Sequence, residues 1–549
     1  MAPAHSKNPD YDYIVIGSGF GGSVSALRLT EKGYRVLVIE KGKRWQASDF
    51  PERNWNLRRW LWLPFLRFFG FFKITWFRHV TILSGVGVGG GSLVYANTLP
   101  LPKPEFFKAS SWAHLADWEA ELREFYPLAT RMLGAVTCPR LETGDHALKM
   151  LARDMGREAG FEPTQVAVFF GEPEKTVPDP YFGGKGPDRA GCIFCGGCMV
   201  GCRYNAKNTL DRNYLYLAER AGATVQPESE VIDVLPLGKD DGSEGYRARW
   251  KTSTRPFGPK GEFTSKGVVF AGGVLGTVPL LLKLKQTSLP RLSDKVGARV
   301  RTNSESLIGI TTFDKDRVFS DGVAISSILH FDEHSHLEPV RYPARSGFWR
   351  LQGLPLVAGT TIAGRMVRTL VDLVLHPIAN LRVFLVNDWA KHTQILLFMR
   401  TLDSTLRFTR GLFGMGTRTE TGPPPSANVP EAKELADRYA KLVNGKPMTL
   451  LTETLFNIPT TAHILGGAVM GKDRDEGVID RDNRVFGYEN LYVCDGSMIS
   501  ANPGVNPSLT ITALAERAMS RITKNDAAQP QRGSVSEPTR IRKERGSGS

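Results

Sequence analysis

The sequence predicts an α/β protein with more than one domain, and three observations support this fold class. The first is a unit near the N-terminus, in which an apolar run at residues 13–16 is followed by a glycine-rich turn, a helical pattern and a second apolar run at 36–39. The second is another apolar run that leads into a glycine turn and a helix start, at residues 268–276. The third is the length of 549 residues, which exceeds what a single hydrophobic core normally supports.

The turn after the first apolar run has the spacing of a dinucleotide-binding fingerprint. Residues 17–22 read GSGFGG, which places G-x-G-x-x-G between a predicted strand and a predicted helix. In this motif Gly17 permits the sharp turn, Gly19 lets a pyrophosphate approach the backbone, and Gly22 lets the helix pack on the strand. The helix N-terminus offers free N–H groups to phosphate, and Glu40 after the second run can accept hydrogen bonds from ribose hydroxyls. The full context favours a dinucleotide site over a strand–turn–helix unit without a ligand.

Further glycine-rich segments favour a flavin over a nicotinamide cofactor. Residues 84–92 read SGVGVGGGS, and so many glycines cost conformational entropy unless a ligand must approach the backbone. A planar ring lying against bare backbone would explain them. The C-terminal region adds three motifs: HILGG at 463–467, YVCDGS at 492–497 and PGVNPSLTITALA at 503–515. Pro507 suits the first turn of a helix that runs to about Ile522, whose positive N-terminus beside Asn506 would favour an anionic reduced flavin.

In these motifs and their order, the chain resembles the glucose–methanol–choline (GMC) oxidoreductases, and within that family the cholesterol oxidase branch that binds FAD without a covalent bond. One departure is Ile464, where that branch typically has a proline. The resemblance implies a Rossmann-type FAD-binding domain of the glutathione-reductase kind and a discontinuous substrate-binding domain with a mixed or antiparallel sheet. We expect an FAD-binding domain at residues 8–100, 190–300 and 455–525, a substrate-binding domain at 101–189 and 301–454, and a disordered basic tail at 526–549.

The resemblance also implies the activity and the residues that carry it. The protein would oxidise the CH–OH group of a hydrophobic alcohol by hydride transfer to flavin N5, with a 3β-hydroxysteroid such as cholesterol as the lead substrate and dioxygen or another acceptor receiving the electrons. His463 would accept or position the hydroxyl proton, and Asn506 would hydrogen-bond the substrate oxygen and the flavin edge. Glu338 would move a ring proton in a steroid isomerisation. The implied cofactor-binding residues are Gly17, Gly19, Gly22, Glu40, Gly89, Gly90, Ser92, Asn97, Val231, Asp495, Gly496 and Asn506.

Four of the six cysteines lie close together in the sequence. Cys192, Cys195, Cys198 and Cys202 have the spacing C-x2-C-x2-C-x3-C, which is that of a ferredoxin iron–sulfur segment except that Arg203 replaces the following proline. Soft thiolates select iron–sulfur clusters or zinc, and structural zinc sites more often pair two separated C-x2-C units. Two interpretations stay open: an iron–sulfur cluster that passes flavin electrons onward, as in some GMC dehydrogenases, and a group of free thiols.

The charge balance favours contact with an anionic surface. Lys and Arg number 70 against 56 Asp and Glu, a net charge of +14. No nucleic-acid-binding module is recognisable, so we expect a membrane rather than nucleic acid as the partner, with a basic protein free of membranes as the alternative. Residues 60–73, rich in Trp and Phe beside Arg and Lys, suit a membrane interface, although aromatic stripes are more often part of a protein core. A second candidate is 362–376, where one helical face would carry Ile362, Met366, Leu370, Leu373 and Val374.

The remaining sequence signals concern location and alternative functions. The N-terminus lacks the apolar core of a secretion signal, so the sequence predicts a cytoplasmic protein with peripheral membrane contact. Three other functions stay open: an iron–sulfur flavin dehydrogenase of a different alcohol, sugar or terpenoid; a GMC-fold lyase without redox chemistry; and a catalytically silent lipid-binding flavoprotein. His330, His334 and His336 have a spacing that metals can use, but it favours a solvated loop.

Overall fold

The chain forms two large β-sheets with helices packed around them. The computed structural model describes residues 8–411, 414–420 and 423–525, so the predicted basic tail at 526–549 lies outside the described residues. The α-helices in these ranges are Phe20–Glu31, Leu57–Trp60, Pro104–Lys108, Trp118–Leu122, Phe125–Met132, Thr143–Asp154, Tyr214–Arg220, Val274–Lys285, Ile362–Leu375, Pro377–Leu385, Trp389–His392, Pro430–Leu442, Leu451–Phe456 and Ser508–Ser520.

The first sheet is built around the N-terminal strand Tyr11–Ile16. The strand pairs in parallel with Val36–Ile39 on one side and with Lys260–Phe270 on the other. Thr224–Gln226 extends the sheet beyond Val36–Ile39, and Leu491–Val493 pairs in parallel with the second half of Lys260–Phe270. Apart from Thr224–Gln226 and the first half of Lys260–Phe270, these strands are short apolar runs that are buried almost throughout, as expected when helices cover both faces of a parallel sheet.

The first half of the long strand Lys260–Phe270 belongs to an antiparallel extension of the same sheet. It pairs with Tyr246–Thr252, which in turn pairs with Ser229–Pro236. Helix Phe20–Glu31 connects the first two parallel strands and packs against helix Ser508–Ser520. The strand–helix–strand unit at the N-terminus is therefore the predicted Rossmann-type unit.

The second sheet is antiparallel throughout, which agrees with the predicted fold class. Its seven strands lie in the order Gly353–Pro355, Gly445–Leu450, Ser306–Thr312, Thr393–Arg400, Ser335–Val340, Ser327–His330 and Phe161–Pro163. Helices Thr143–Asp154 and Pro430–Leu442 cover one face with apolar side chains. All seven strands fall inside the ranges expected for the substrate-binding domain, whose boundaries stay a prediction.

Strand Ser335–Val340 carries alternate side chains to opposite faces of the second sheet. Leu337 packs in the helix-covered core, whereas Val340 lines a cavity on the other face. Because side chains alternate along a strand, His336 and Glu338 share the face of Val340. Both are 0% exposed, so the expectation of a solvated loop was wrong for His336: pairing with two neighbouring strands buries it.

The described residues also form five smaller sheets. Two have three strands and three have two. They comprise Val300–Arg301 with Thr405–Gly411 and Gly414–Thr419; Thr460–Thr461 with Thr81–Gly85 and Phe72–Trp76; Trp62–Leu63 with Phe68–Phe69; Val136–Thr137 with Gln165–Val166; and Thr176–Val177 with Arg189–Ala190.

Much of the aromatic segment at 60–73 belongs to the protein core, as the alternative to an interfacial role predicts. Trp60 and Phe72 stack with ring centroids 4.6 Å apart, and both are nearly inaccessible to solvent. Stacking among aromatic side chains buries them within the protein. Only the tip of the segment is open, where Phe65 is 78% exposed and Leu66 is 50% exposed.

Helices Ile362–Leu375 and Pro377–Leu385, referred to below as the helical hairpin, expose most of their apolar side chains. Arg365 is 1% exposed and donates hydrogen bonds to three backbone carbonyl oxygens. By contrast, Leu370 is 62% exposed and Val374 is 75% exposed. The apolar residues predicted to share a face therefore do so, and that face is open. Neither helix, nor any other helix in the described ranges, has the length and apolar character needed to cross a membrane.

Candidate active site

A cavity of about 700 Å³ is lined by residues of both large sheets. The fingerprint turn, including Gly17 and Gly19, forms part of the wall. Leu307, Ile395 and other residues of the second sheet form the opposite part. The cavity can therefore hold a cofactor against the first sheet and a substrate against the second.

The fingerprint glycines have the geometry that dinucleotide binding requires. Gly17 has a φ of +103°, in the left-handed region that favours glycine. A Cβ at Gly22 would lie 2.1 Å from the carbonyl oxygen of Gly17, so a larger residue would separate the helix from the turn. A Cβ at Gly19 would meet no protein atom within 4 Å, and Gly19 faces the cavity. The backbone at Gly19 is thus open to a ligand at the N-terminus of helix Phe20–Glu31.

Gly21 has a packing role that the sequence analysis missed. A Cβ at Gly21 would lie 1.7 Å from the carbonyl oxygen of Cys494, which follows strand Leu491–Val493. The glycine lets the first helix rest directly on the last strand of the sheet. The fingerprint spacing alone does not reveal this contact, because the partner comes from the far end of the chain.

Glu40 is held as a fixed acceptor at the edge of the cavity. Its Oε2 accepts hydrogen bonds from the backbone N–H and the hydroxyl of Ser18, at 3.1 and 2.8 Å. Its Oε1 accepts one from the N–H of Gly42 at 2.8 Å. The carboxylate is 6% exposed and lines the cavity, where its remaining lone pairs can accept from ribose hydroxyls.

The second glycine-rich segment packs on the fingerprint turn. A Cβ at Gly90 would lie 2.6 Å from the Cα of Gly19, so part of the need for glycine comes from this contact between two backbones. Ser92 does not face the cavity; its hydroxyl donates to the carbonyl of Gly89 and accepts from the N–H of Leu210. These bonds hold the turn that presents Gly90 to the cavity.

The other predicted cofactor residues divide into two groups. Five of them line the cavity: Gly90, Val231, Asp495, Gly496 and Asn506. Gly22, Gly89, Ser92 and Asn97 lie behind the lining residues; Asn97 is fully buried with a φ of +69°. Asp495 accepts hydrogen bonds from the N–H groups of Gly273 and Ser497, yet burial raises the pKa of its carboxyl group.

The residues around the cavity fit FAD. The open backbone at Gly19, the helix N-terminus behind it and the fixed carboxylate of Glu40 suit a pyrophosphate and a ribose. Helix Ser508–Ser520 begins two residues after Asn506 and directs its positive end toward the same cavity. It ends at Ser520, slightly before the expected Ile522.

His463, Asn506 and Glu338 come together at one side of the cavity. His463 follows the short strand Thr460–Thr461, and its backbone N–H donates to the hydroxyl of Thr461 at 3.0 Å. The Nδ2 group of Asn506 donates to Oε2 of Glu338 at 3.3 Å. His463 and Asn506 line the cavity, while Glu338 lies behind Asn506 with 0% exposure. Their catalytic roles stay predictions, but the structure places the three side chains as one group.

Glu305 is a partner of His463 that the sequence analysis missed. Its Oε1 lies 3.1 Å from Nδ1 of His463, and it also accepts hydrogen bonds from the hydroxyl of Thr461 and the N–H of Ala462. Burial alone would lower the pKa of His463, but attraction to the Glu305 carboxylate outweighs burial, and the pKa is raised. Burial acts to raise the pKa of Glu305, yet the charge of His463 and the hydrogen bonds lower it overall. No sequence motif links the two residues, because Glu305 lies far from His463 along the chain, just before strand Ser306–Thr312 of the second sheet.

The cysteine segment does not form the predicted iron–sulfur site. Within the ranges that the structure describes, no three His, Cys, Asp or Glu side chains are arranged to hold a metal ion. The turn Gly197–Val200 is held instead by Lys207, whose Nζ donates to three backbone carbonyl oxygens, including that of Cys198 at 2.7 Å. An iron–sulfur cluster bound by Cys192, Cys195, Cys198 and Cys202 is therefore not supported by the part of the chain that the structure describes.

Comparisons with known proteins agree with this fold and site. The family model described as GMC oxidoreductase matches residues 387–515, and one described as NAD(P)-binding Rossmann-like domain matches 15–54. The chain is 47% identical to a cholesterol oxidase from Acinetobacter baumannii, with 96% of each chain covered. It is 44% identical to a cholesterol oxidase from Mycobacterium tuberculosis, over 97% of this chain and 94% of that one. The crystal structure of pyridoxine 4-oxidase from Mesorbium loti has the same fold, with a TM-score of 0.59 and 16% identity over 93% of this chain and 99% of that chain.

Fold, site and relatives together define an FAD-dependent oxidoreductase that acts on CH–OH donors. The chain belongs to the GMC oxidoreductase family. The predicted family, fold class and cofactor FAD are thereby confirmed, whereas the predicted iron–sulfur cluster is not supported.

Proposed function

We propose that this protein oxidises the 3β-hydroxyl group of a sterol such as cholesterol, with dioxygen as the electron acceptor. The observation that carries the proposal is the placement of His463 and Asn506 at a cavity whose far wall is apolar, with Leu307, Val340 and Ile395 among its residues. Two polar groups at one end of an apolar cavity suit a long hydrophobic molecule with a single hydroxyl group. The likeness to two cholesterol oxidases supports the same substrate class.

The side chains at this end of the cavity would each have a different role in the reaction. The bound flavin would supply the acceptor for the electrons and the carbinol hydrogen. His463 would take the hydroxyl proton, which requires its neutral form, and Asn506 would donate a hydrogen bond to the substrate oxygen. Glu338, buried 3.3 Å from Asn506, would take a ring proton from the ketone and return it to a different carbon.

The test is an anaerobic titration of the flavin-loaded protein with cholesterol. Loss of the flavin absorbance, with one ketone formed per flavin, is the expected result. Intact flavin bands in the presence of excess cholesterol would contradict the proposal and would favour a lyase or a silent lipid-binding flavoprotein. Iron analysis of the same sample checks the cysteine segment, and peroxide formed on readmitting air checks the acceptor.

We also propose that the helical hairpin docks on a membrane and that sterol passes beside it into the cavity. Val383 lies on the inner side of helix Pro377–Leu385 and lines the cavity. The hairpin therefore has the cavity on one side and its exposed apolar residues on the other. The exposed residues continue along both helices; on the second, Ile378 is 74% exposed and Leu385 is 68% exposed. A bilayer suits this face because the proposed substrate is a lipid and the net charge of +14 attracts anionic headgroups. The cytoplasmic location stays a prediction.

Acidic substitutions on the hairpin are expected to weaken membrane binding. We expect Leu370→Glu together with Val374→Glu to reduce binding to vesicles that contain phosphatidylserine by at least about tenfold, because each buried aliphatic side chain contributes about 1.5–3 kcal/mol. Co-sedimentation with the vesicles measures the effect. Leu101→Glu, at a 61% exposed leucine outside the hairpin, is the control that keeps binding intact. Equal binding of the double variant and the wild type would rule out the hairpin as the docking face.

The pH dependence of flavin reduction is expected to report on Glu305. Because attraction to Glu305 raises the pKa of His463, the rate rises with pH as His463 loses its proton above the usual histidine range. In Glu305→Gln this attraction is lost, so the pKa of His463 falls. The part of the pH–rate profile in which the rate rises, its acidic limb, therefore moves to lower pH. Stopped-flow flavin reduction across pH measures the limb. Glu453→Gln replaces another buried glutamate and should leave the limb in place; a limb that stays fixed in Glu305→Gln would contradict the pairing.

A further inference from the structure

A second buried histidine connects Glu338 with the protein surface. Nε2 of His336 lies 3.5 Å from Oε1 of Glu338, and both side chains are 0% exposed. His336 lies directly opposite His330 in the pairing of strands Ser327–His330 and Ser335–Val340. The two imidazole rings have their centroids 6.0 Å apart. The side chains therefore form a continuous row from the catalytic group outward.

The buried part of this row consists of polar atoms without partners. Among the described residues, both ring nitrogens of His336 and Oε1 of Glu338 have no hydrogen-bond partner. Oδ1 of Asn506, which lies beside Glu338, also has none. Burying polar atoms in this way costs free energy unless they bond to one another or to water. Packing alone does not explain a histidine here, because an apolar side chain would avoid this cost.

The outer part of the row is open to solvent. His330 has a side chain that is 35% exposed, and its Nε2 lies 3.3 Å from Oε1 of Glu162, which is itself 63% exposed. Its Nδ1 lies 3.1 Å from Nζ of Lys103. The groups that face His330 are thus His336 from within and Glu162 and Lys103 from outside. Burial, followed by the charge of Lys103, lowers the pKa of His330, so its ring is neutral at neutral pH and can accept a proton.

We propose that His336 and His330 form a proton path through which the carboxyl group of Glu338 exchanges its proton with solvent. The proposal rests on the proposed function, in which Glu338 takes a proton from the substrate. That proton would pass to Nε2 of His336 directly across the 3.5 Å separation. His336 would release the proton on its other nitrogen to Nδ1 of His330 in place of the Lys103 contact, and Nε2 of His330 would pass one to Glu162 or to water. Each ring gains one proton and loses one, so the proton lost by Glu338 appears in solvent without a lasting charge on either histidine. A solvent proton then moves inward by the reverse steps, which restores the tautomer of each ring and leaves Glu338 with a proton to return to the substrate.

The test follows hydrogen exchange during turnover in deuterium oxide. Flavin-loaded full-length protein converts cholesterol, and mass spectrometry measures deuterium in the isomerised ketone. In the wild type we expect solvent deuterium in the product, because Glu338 exchanges its proton before returning it. In His336→Gln and His330→Gln exchange should slow by about 10²-fold, the usual contribution of a positioned proton-transfer group, so the product keeps the hydrogen of the substrate. His334→Gln, at an exposed histidine outside the row, should behave as the wild type.

Equal deuterium content in the wild type and in both path variants would overturn the proposal. A wild type that forms no ketone, or a ketone that is not isomerised, would contradict the proposed function instead. In that case the path is measured without substrate, as the exchange rate of the His336 ring proton in protein labelled with nitrogen-15 at histidine. The signal is assigned by its absence in His336→Gln. Slower exchange in His330→Gln supports the path, and an unchanged rate refutes it; His330 is half-exposed, so this variant leaves the core intact.

Discussion

Replacing His463 with glutamine is expected to slow flavin reduction by the substrate alcohol by about 10²- to 10⁴-fold, the usual contribution of a positioned general base. Glutamine occupies a similar volume and can hydrogen-bond, but it cannot take the hydroxyl proton. His463 lines the cavity at one end only, so FAD content and thermal stability should stay close to those of the wild type. Stopped-flow absorbance under anaerobic conditions measures the rate.

A matched control separates this loss from a general effect of removing a histidine. His79→Gln changes a partly buried histidine that contacts Thr417 and does not line the cavity. It should reduce flavin at the rate of the wild type. A His463→Gln variant with an unaltered rate would exclude His463 as the base, and an equal loss in both variants would indicate a structural cause.

Alanine at Gly19 and alanine at Gly21 are expected to fail in different ways, although the two glycines are two positions apart. A Cβ at Gly19 meets no protein atom within 4 Å, so Gly19→Ala should fold normally but lose FAD, because the added methyl group lies where the pyrophosphate approaches. A Cβ at Gly21 would lie 1.7 Å from the carbonyl oxygen of Cys494, so Gly21→Ala must separate the first helix from the last strand. We expect overpacking of this kind to destabilise the fold by about 3 kcal/mol or more.

Two measurements on each variant distinguish these outcomes. Flavin absorbance per protein reports cofactor loading, and the unfolding midpoint of flavin-free protein reports the fold. Gly19→Ala should combine a wild-type midpoint of the flavin-free form with little bound flavin. A flavin-free Gly19→Ala that unfolds as early as Gly21→Ala would show that the space beside Gly19 is not reserved for a ligand.

The features that sequence patterns predicted correctly are mostly local. The strand, turn, helix and strand from Tyr11 to Ile39 follow one another along the chain, and each is encoded by neighbouring residues. Open backbone at Gly19 and a carboxylate at Glu40 follow from the same unit. The family motifs extended this prediction to His463 and Asn506, which are far apart in sequence from the fingerprint but line one cavity with it.

The features that could not be predicted depend on contacts between distant segments. Glu305 directly precedes strand Ser306–Thr312 of the second sheet, and His463 follows the short strand Thr460–Thr461. The two side chains meet because the fold brings these two points of the chain together. The cysteine spacing suggested a metal site, but Lys207 from outside the motif bonds the backbone of the same turn. Hydrophobic periodicity predicted which residues of helix Ile362–Leu375 share a face. Only the tertiary structure shows that the buried side of the helix is the one that carries Arg365. A pattern of period 3.6 identifies a face and not its orientation.

The strand Leu491–Val493 affects how the chain can fold while the ribosome is still making it. The N-terminal unit rests on this strand through Gly21 and on helix Ser508–Ser520 through its own first helix. At about 5–20 residues per second, translation separates Tyr11–Ile16 from Leu491–Val493 by on the order of a minute. Once Lys260–Phe270 has been made, one of its edges stays unpaired and apolar surface stays uncovered until Leu491–Val493 follows, which favours association between nascent chains. The flavin site can thus form only once Leu491–Val493 and Ser508–Ser520 have been synthesised, and cellular yield should depend on chaperones and on the supply of free FAD.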